Sequence, residues 1–416
     1  MSATASTATT TAAAKLLTSR LENVGITTLN NPRALHALSQ DMIDGLDHIL
    51  KEWTSSQSSV RTILIRSAPG TKRPAFCAGG DVKTLYHVGK QQQQQQHQSN
   101  ATTTTSSTNS RRKPESYFYS EYQVNHAIAT CPIPIVSLWD GIVMGGGAGI
   151  SVHGQFRVAT EHSLLAMPEC AIGLFPDVGS MWWMTRLLTR PVANWLALTG
   201  HRLYANDLVL TGLATHYIPS QNLEKLQTAL VDATATKTTT TIPIPKIGTS
   251  CKDDNYAVVA QVLDSFHEQV VMDDSFLAKH QTVIDHTFAA DSVESIIANL
   301  EQEGSEFSQT TLTTLQKQSP TSLKLTLEGL NRATTLQTVG EDLQMEYRMA
   351  KTCVTGQGSD DFYEGVRAAL IDKDFSPKWN PERLEDVSKE LIDKYFAPLS
   401  DDEEWVIPNV STASRL

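Results

Sequence analysis

The feature that most constrains this chain is a cluster of glycines in an otherwise apolar stretch, Gly145-Gly146-Gly147 and Gly149. The cluster follows residues 133–139, an apolar segment that is typical of a buried strand. Adjacent glycines in such a place indicate that the backbone approaches another group closely. Two carboxylates come next, Glu169 and Asp177, each directly after a proline. Free backbone amides with carboxylates nearby predict a site that binds an oxyanion and carries acid–base groups.

An earlier part of the chain repeats this layout. Residues 60–65 are typical of a buried strand, and Gly79-Gly80-Asp81 follows them as a glycine loop that opens a helix, with Asp81 at the N-cap position. Taken alone, this loop is most simply a tight turn that caps a helix. Two units of strand, glycine loop and helix predict a spiral of repeated units with both loops at the same end of the sheet. We therefore expect the backbone amides of Gly80 and Gly146 to converge on one oxygen atom.

Composition and periodicity divide the chain into five predicted segments. These are a disordered tail or targeting segment at 1–14, an α/β core at 15–230, a Thr-rich loop or linker at 231–254, a mostly helical subdomain at 255–397 and a tail at 398–416. Within the core, residues 91–112 are rich in Gln, Thr and Ser, and we predict a disordered insertion there.

The charge and cysteine content exclude several classes of protein. The 416 residues carry a net charge of −11, which argues against a general affinity for nucleic acid. The apolar runs are too short and too interrupted to predict a membrane span. The five cysteines are far apart and odd in number, which favours free thiols in a reducing compartment over a disulfide framework or a zinc site.

The two ends of the chain indicate different organelles. The first 20 residues lack acidic side chains and are rich in Ala, Ser and Thr, which resembles a transit peptide but is poor in arginine. The last three residues, Ser414-Arg415-Leu416, are one conservative step from the SKL peroxisomal signal.

Three longer segments, FCAGGDVK, GIVMGGGAGISVHGQFRVATE and AMPECAIGLFPDVG, resemble the crotonase (enoyl-CoA hydratase/isomerase) superfamily. Within it, SVHGQFRVAT, IGLFPDVG, SPTSLKLTL and EGVRAALIDKDFSPKW are most similar to the 3-hydroxyisobutyryl-CoA hydrolase branch. The resemblance covers residues 16–396 apart from the two low-complexity segments. It implies an α/β fold of the ClpP/crotonase type, a spiral of repeated ββα units with a mostly helical C-terminal part.

The resemblance also implies roles for individual residues. It places the carbonyl oxygen of a CoA thioester between the backbone amides of Gly80 and Gly146. It makes Glu169 and Asp177 catalytic: Glu169 attacks the carbonyl carbon or activates water, and Asp177 holds the substrate hydroxyl or protonates the leaving thiolate. A further substrate-binding glutamate of the family matches Glu121, on the helix before the strand at 133–139.

One departure from the superfamily pattern bears on the reaction. The hydratases use two glutamates, and the first of them would stand at Gly149, so its absence predicts thioester hydrolysis rather than hydration. The expected substrate is 3-hydroxyisobutyryl-CoA of valine breakdown, with 3-hydroxypropionyl-CoA as a second one. Two alternatives stay open: an enoyl-CoA hydratase or isomerase, and a non-catalytic relative in an assembly such as the mitochondrial ribosome.

Candidates for contacts with the CoA phosphates are Lys72, Arg73 and Lys83, with Lys324 as a similar case, although cations in exposed loops are commonly just solvated. The resemblance implies no metal and no redox cofactor, and it makes CoA a part of the substrate. It leaves a homo-oligomer open. It implies the mitochondrial matrix as the location, with the peroxisome as the alternative that the last three residues suggest.

Overall fold

The structure, a computed structural model, describes residues 14–99, 113–235, 254–271 and 274–409. The predicted N-terminal tail, most of the Thr-rich segment and the final tripeptide Ser414-Arg415-Leu416 lie outside the described residues.

Within the described residues, ten strands form two sheets. The larger sheet has the order β1 (Leu16–Leu21), β2 (Val24–Leu29), β3 (Thr62–Ser67), β5 (Ile135–Trp139), β7 (Phe156–Ala159) and β10 (His216–Tyr217), and it is parallel from β2 onwards. The smaller sheet has the order β4 (Ala75–Cys77), β6 (Ile142–Met144), β8 (Leu164–Ala166) and β9 (Leu203–Tyr204), and only its β8–β9 pair is antiparallel.

The chain alternates between the two sheets. Strand β3 is followed by β4, β5 by β6, and β7 by β8. Helices α2 (Val82–Ser99) and α3 (Pro114–Ala129) follow the first pair, and the short helix α4 (Gly146–Gly149) follows the second. Strands β3, β5 and β7 pair in parallel, and so do β4, β6 and β8. Every unit therefore starts and ends at the same edges of the two sheets. The predicted spiral of ββα units is confirmed.

Helix α2 differs from the prediction for residues 91–112. Its last nine residues include the glutamine tract, which continues the helix as far as Ser99 instead of joining a disordered loop. Glutamine has a good helix propensity, and a tract that extends an existing helix does not bear the cost of nucleation. The buried Leu85 in the first turn anchors that helix to the core. Residues 100–112 lie outside the described part of the chain.

Both faces of the larger sheet are covered, as expected for strands that pair in parallel. One face packs against α8 (Leu223–Ala235) and α9 (Asp254–Phe266), and the other faces the main core with α1 (Gln40–Trp53). The apolar residues of α1 recur at helical spacing, so they share one face, and that face is buried: Met42, Ile43, Leu46, Ile49, Leu50 and Trp53.

The remaining helices extend this core. They are α5 (Ser180–Leu187), α6 (Arg190–Thr199), α7 (Ala205–Leu210), α10 (Phe276–Thr287), α11 (Val293–Glu303), α12 (Glu306–Leu315), α13 (Pro320–Ala333), α14 (Val339–Thr355), α15 (Asp361–Val366) and α16 (Lys389–Phe396). The predicted helical character of the C-terminal part is confirmed, and its apolar residues belong to the same hydrophobic core as α1.

Helix α14 is a C-terminal element that packs against α3. The ring of Tyr347 lies 5.5 Å from that of Tyr119 and 6.4 Å from that of Tyr122, both on α3. The predicted C-terminal tail contributes as well, because Trp405 is fully buried and its indole N–H donates to the Tyr119 carbonyl (3.2 Å). The C-terminal part therefore packs against α3 and helps to hold it in place.

Two predictions from composition concern the described residues. None of their helices is long and apolar enough to cross a bilayer. Four of the five cysteines are described, Cys77, Cys131, Cys170 and Cys353; all four are buried, and none of them forms a disulfide bond with another described residue.

Candidate active site

The two glycine loops lie side by side because the strands before them do. Strands β4 and β6 pair in parallel, with Ala75 opposite Ile142, so that both strands end at the same edge of the smaller sheet. The loops that leave them bring Gly80 next to Gly146: a Cβ atom added to Gly146 would lie 3.3 Å from the Gly80 nitrogen. The predicted convergence of the two glycines is present in the structure.

The backbone amides of both glycines are available to an outside acceptor. Leu38 pairs with the first loop by donating to the Gly79 carbonyl and accepting from the Asp81 amide, so the Gly80 N–H points away from that partner. Gly146 is the first residue of α4, where a helix offers its amide no acceptor. Among the described residues, neither amide donates to a backbone carbonyl.

Glycine is required in the second loop because acidic side chains come very close to it. A Cβ atom at Gly146 would lie 2.3 Å from Oε1 of Glu121, and one at Gly145 would lie 2.9 Å from Oε1 of Glu169. Gly145 also has a positive φ of 45°, which side chains disfavour. Any larger residue at either position would therefore push a carboxylate away from the amides of Gly80 and Gly146.

Three carboxylates and the two glycine loops line one cavity of about 1250 Å³. Glu121 comes from α3, Glu169 from a 3-10 turn (Glu169–Ile172) after β8, and Asp177 from the turn before α5. All three are at least 94% buried. The structure thus brings together Gly80, Gly146, Glu121, Glu169 and Asp177, all of which were predicted as site residues.

Burial dominates the electrostatics of these carboxyl groups. It raises the pKa of Glu121 and of Glu169 well above the usual value, and the charge of Asp177 raises both further. Burial also raises the pKa of Asp177, to about 7, against the opposing hydrogen bond from Tyr122. The cluster therefore holds protons near neutral pH, which is the range in which acid–base catalysis is most efficient.

The three carboxylates differ in their hydrogen bonds. Oε1 of Glu121 and Oε2 of Glu169 have no partner among the described residues, although both are buried. Oδ2 of Asp177 accepts a hydrogen bond from the Tyr122 hydroxyl (3.0 Å). Unpartnered buried oxygens are costly, and they are typical of groups that meet a ligand.

Two tyrosines of α3 belong to the site but were not predicted as site residues. Tyr122 bonds Asp177, and Tyr117 donates to the Leu38 carbonyl (2.9 Å) with its hydroxyl 2.7 Å from where a Cβ on Gly80 would stand. Tyr117 and Glu121 are four residues apart and share a face of the helix. That spacing was the signal that could have identified Tyr117.

The turn that carries Asp177 has an unusual backbone. Val178 has a φ of 60°, a region that β-branched residues rarely adopt. Its carbonyl lies 2.8 Å from Nε2 of His153, whose burial lowers the pKa of the imidazole to about 4 and keeps it neutral. Its side chain fills the space beside Gly149, where an added Cβ would lie 2.6 Å from that of Val178.

The predicted contacts to CoA phosphates are only partly supported by position. Arg73 lines the cavity, whereas Lys72 and Lys83 are exposed and do not. Lys324 lies elsewhere, since its ammonium pairs with Glu294 (2.7 Å) and donates to the Val387 carbonyl. None of these three ammonium groups lines the cavity. The position of a residue in the sequence does not tell which way a long side chain points.

Three basic side chains that were not predicted as CoA contacts lie at the cavity mouth. Arg202, Lys317 and Lys378 line it together with the aromatic side chains of Phe375 and Trp379. The indole N–H of Trp379 donates to the Lys317 carbonyl (3.1 Å), which joins two separate segments of the C-terminal part. Phe375, Lys378 and Trp379 belong to the segment EGVRAALIDKDFSPKW, which carries part of the family resemblance, but the sequence did not indicate that this segment reaches the cavity.

Comparison with known proteins agrees with this geometry. A family model described as enoyl-CoA hydratase/isomerase matches residues 24–396. Two proteins named "3-hydroxyisobutyryl-CoA hydrolase, mitochondrial", from Gallus gallus and Homo sapiens, are 40% and 39% identical to this chain. These matches cover 95% and 94% of this chain and 91% and 90% of the relatives.

Solved structures show the same similarity. A carnitinyl-CoA dehydratase from Mycobacterium thermoresistibile and an enoyl-CoA hydratase from Rhodobacter sphaeroides 2.4.1 are each 30% identical to this chain, with TM-scores of 0.77 and 0.75. They match 94% of this chain and 98% and 100% of their own. Since both the family model and these relatives span nearly the whole chain, the protein belongs to the enoyl-CoA hydratase/isomerase family.

Proposed function

We propose that this protein is an acyl-CoA thioester hydrolase that acts on 3-hydroxyisobutyryl-CoA, with 3-hydroxypropionyl-CoA as a second substrate. The observation that carries the proposal is the meeting of two unpaired glycine amides with Glu169 and Asp177 in one cavity, beside a glycine at position 149. The names of the curated relatives support the choice of substrate.

In the proposed reaction, the amides of Gly80 and Gly146 hold the thioester oxygen as negative charge develops on it. Such donors typically contribute about 100- to 1,000-fold to a rate. Glu169 either attacks the carbonyl carbon, giving an anhydride that water then opens, or removes a proton from the attacking water. Either way the C–S bond breaks, and the CoA thiolate takes a proton that Asp177 can supply. Glu121 would contact the bound acyl group.

The two routes for Glu169 can be separated by rapid acid quench and peptide mass spectrometry. The anhydride route predicts that the peptide with Glu169 gains the mass of the acyl group during turnover. Direct attack by water predicts that the peptide keeps its mass while free acid accumulates.

The surroundings of Gly149 favour hydrolysis over hydration. A Cβ atom there would lie 2.6 Å from Cβ of Val178 and 2.8 Å from Nδ2 of Asn125, so the space for a second catalytic glutamate is filled. Two similar solved structures are those of a dehydratase and a hydratase. The competing reaction to be assayed is therefore the hydration of crotonyl-CoA. We expect no hydration by the purified protein.

The cavity mouth fits the polar part of CoA. Arg73, Arg202, Lys317 and Lys378 supply positive charge where the phosphates of a long anionic substrate would leave the cavity. Replacing Lys378 by Ala should raise KM a few-fold and make it less dependent on salt, because a screened contact is lost. The matched control is Lys83→Ala, an exposed lysine outside the cavity, which should leave KM unchanged.

The proposal is tested by thiol release from a panel of acyl-CoA thioesters. We expect release with the two 3-hydroxyacyl substrates and about a 100-fold lower kcat in Gly146→Ala, which crowds the amides. Gly154→Ala, whose added Cβ would lie no closer than 3.2 Å to its neighbours, is the control and should retain activity. A wild-type protein that releases no thiol but sediments with ribosomal particles would support the non-catalytic alternative instead.

We also propose a mitochondrial location, which the names of the relatives support. A fluorescent reporter fused to the C-terminus would hide the final tripeptide, and one fused to the N-terminus would hide the transit-like segment. Mitochondrial import predicts that only the C-terminal fusion reaches its compartment, whereas the peroxisomal alternative predicts the reverse.

A further inference from the structure

The helix that follows Asp177 is capped by carboxylates from another part of the chain. Glu346, on α14, accepts hydrogen bonds from the Gly179 amide at Oε2 (2.6 Å) and from the Met181 amide at Oε1 (3.1 Å). Asp342, one helical turn earlier, accepts from the Trp182 amide (3.1 Å). The first turn of α5 is therefore held by two side chains more than 150 residues away in the sequence.

Helix α5 cannot cap itself. Its N-cap residue is Gly179, which has no side chain and adopts a left-handed conformation with φ 75°. A larger residue is excluded there, because a Cβ would lie 2.6 Å from the His153 ring. By contrast, α10 to α14 each begin with a Ser or Thr whose hydroxyl accepts from its own first turn: Ser275, Ser292, Ser305, Ser319 and Thr338.

The turn between Asp177 and α5 needs outside support. Val178 is held in a left-handed conformation that a β-branched residue does not adopt without compensation from its surroundings. His153 bonds the carbonyl of Val178, and Glu346 bonds the amide of the next residue. Val178 is thus fixed through the carbonyl and the N–H of the peptide group that joins it to Gly179.

We propose that Glu346 is a positioning residue for thioester hydrolysis, which holds the turn Asp177–Gly179 through both carboxylate oxygens so that the Asp177 carboxyl faces Glu169 and Glu121. This inference rests on the proposed function, and it adds a residue that never touches the substrate. Asp342 supports it from the next turn of α14.

Glu346 lies in the same buried cluster as Asp177. It is fully buried, and burial, Asp342 and Asp177 together raise its pKa well above the usual value. The titratable groups around the turn Asp177–Gly179 are Tyr117, Glu121 and Tyr122 on α3, Glu169 after β8, His153 after α4, and Glu346 and Cys353 on α14.

The test is Glu346→Gln, which keeps the size of the side chain and one acceptor oxygen but removes the charge. We expect kcat to fall on the order of 10- to 100-fold, since small misplacement of a catalytic group has effects of this size. KM should change little, because Glu346 does not touch the substrate, so the loss should appear in kcat alone. Glu301→Gln, an exposed carboxylate on α11, is the control and should match the wild type.

A normal kcat in Glu346→Gln, with only a lower Tm, would show that Glu346 is merely structural and overturn the proposal. If Glu346→Gln does not fold, Glu346→Asp replaces it. The shorter side chain cannot span both amides, so kcat should fall; a wild-type kcat would again overturn the proposal.

A readout without substrate separates this inference from the proposed function. Hydrogen exchange of the Gly179 and Met181 amides should be slow in the wild type and faster in Glu346→Gln. Absence of thiol release by the wild type would contradict the proposed function, whereas equal exchange rates in the two proteins would contradict the role of Glu346 in holding the turn.

Discussion

Glu169 and Asp177 lie in the same cavity, yet their surroundings differ. Glu169 lies on a short 3-10 turn and leaves Oε2 without a partner among the described residues. Asp177 accepts a hydrogen bond from Tyr122 and belongs to a turn held by His153 and Glu346. Burial raises the pKa of both, and a backbone hydrogen bond opposes the rise in both, but only Asp177 also has a side-chain hydrogen bond, from Tyr122, that opposes it.

The difference suggests a division of labour between two chemically similar groups. A buried carboxylate with a free oxygen loses solvation without compensation, which makes it a strong base or nucleophile towards a group that enters the cavity. A carboxylate fixed by a hydroxyl and a rigid turn is suited to holding a substrate group or delivering a proton in one direction. The predictions below test this distinction, beginning with the largest effect.

Glu169→Gln should lower kcat by about 1,000-fold, because the amide can neither attack nor accept a proton. Its stability at pH 8 should equal or exceed that of the wild type, since a buried charge is removed from a site with an unpaired oxygen. Thiol release and thermal unfolding measure the two effects. Loss of activity together with a much lower Tm would mean that Glu169 supports the fold rather than the reaction.

Asp177→Asn should lower kcat by about 100-fold, less than the change at Glu169. The Tyr122 hydroxyl can still donate to the new amide oxygen, so the turn should persist. The titration near pH 7 in the kcat/KM profile should disappear, because the group with that pKa is gone. A profile that keeps this midpoint would assign it to another carboxyl of the cluster.

Tyr122→Phe should lower kcat about 10-fold through loss of one hydrogen bond to a charged group. That bond lowers the pKa of Asp177, so its removal should move the midpoint of the pH profile upwards from about 7. Tyr119→Phe, on the same helix but beside Tyr347 and Trp405, is the control. A midpoint that moves downwards would contradict the role assigned to Tyr122.

The smallest effect concerns stability rather than rate. Burial raises the pKa of Asp342 to about 7, whereas the unfolded chain loses this proton near pH 4. The folded state therefore binds more protons in this window, and the stability that the protonated group contributes below pH 4 is lost as pH rises through about 7. Thermal unfolding at pH 5 and pH 8 should show a smaller fall, by about a few degrees, in Asp342→Asn than in the wild type. An unchanged fall would mean that Asp342 does not titrate in this range.

Much of the fold and of the site could be predicted from local patterns. The apolar spacing of α1, the glycine loops and the proline-flanked Glu169 and Asp177 all depend on a few neighbouring residues. The last nine residues of α2 were predicted wrongly, because the tract has the composition of a disordered segment. The part of the helix before the tract provides the order that composition does not indicate.

The remaining residues of the site show why the sequence did not predict all of it. Tyr122 and Glu346 were not predicted, because each acts on a group that is distant in the chain. The sequence alone established the family pattern, the two glycine loops and the absence of a carboxylate at Gly149, since these depend on residue types at fixed local spacings. The tertiary structure decided which amides meet, which carboxylate stays unpaired and which is held, because parallel pairing of β4 with β6 and packing of α14 on α3 bring those groups together.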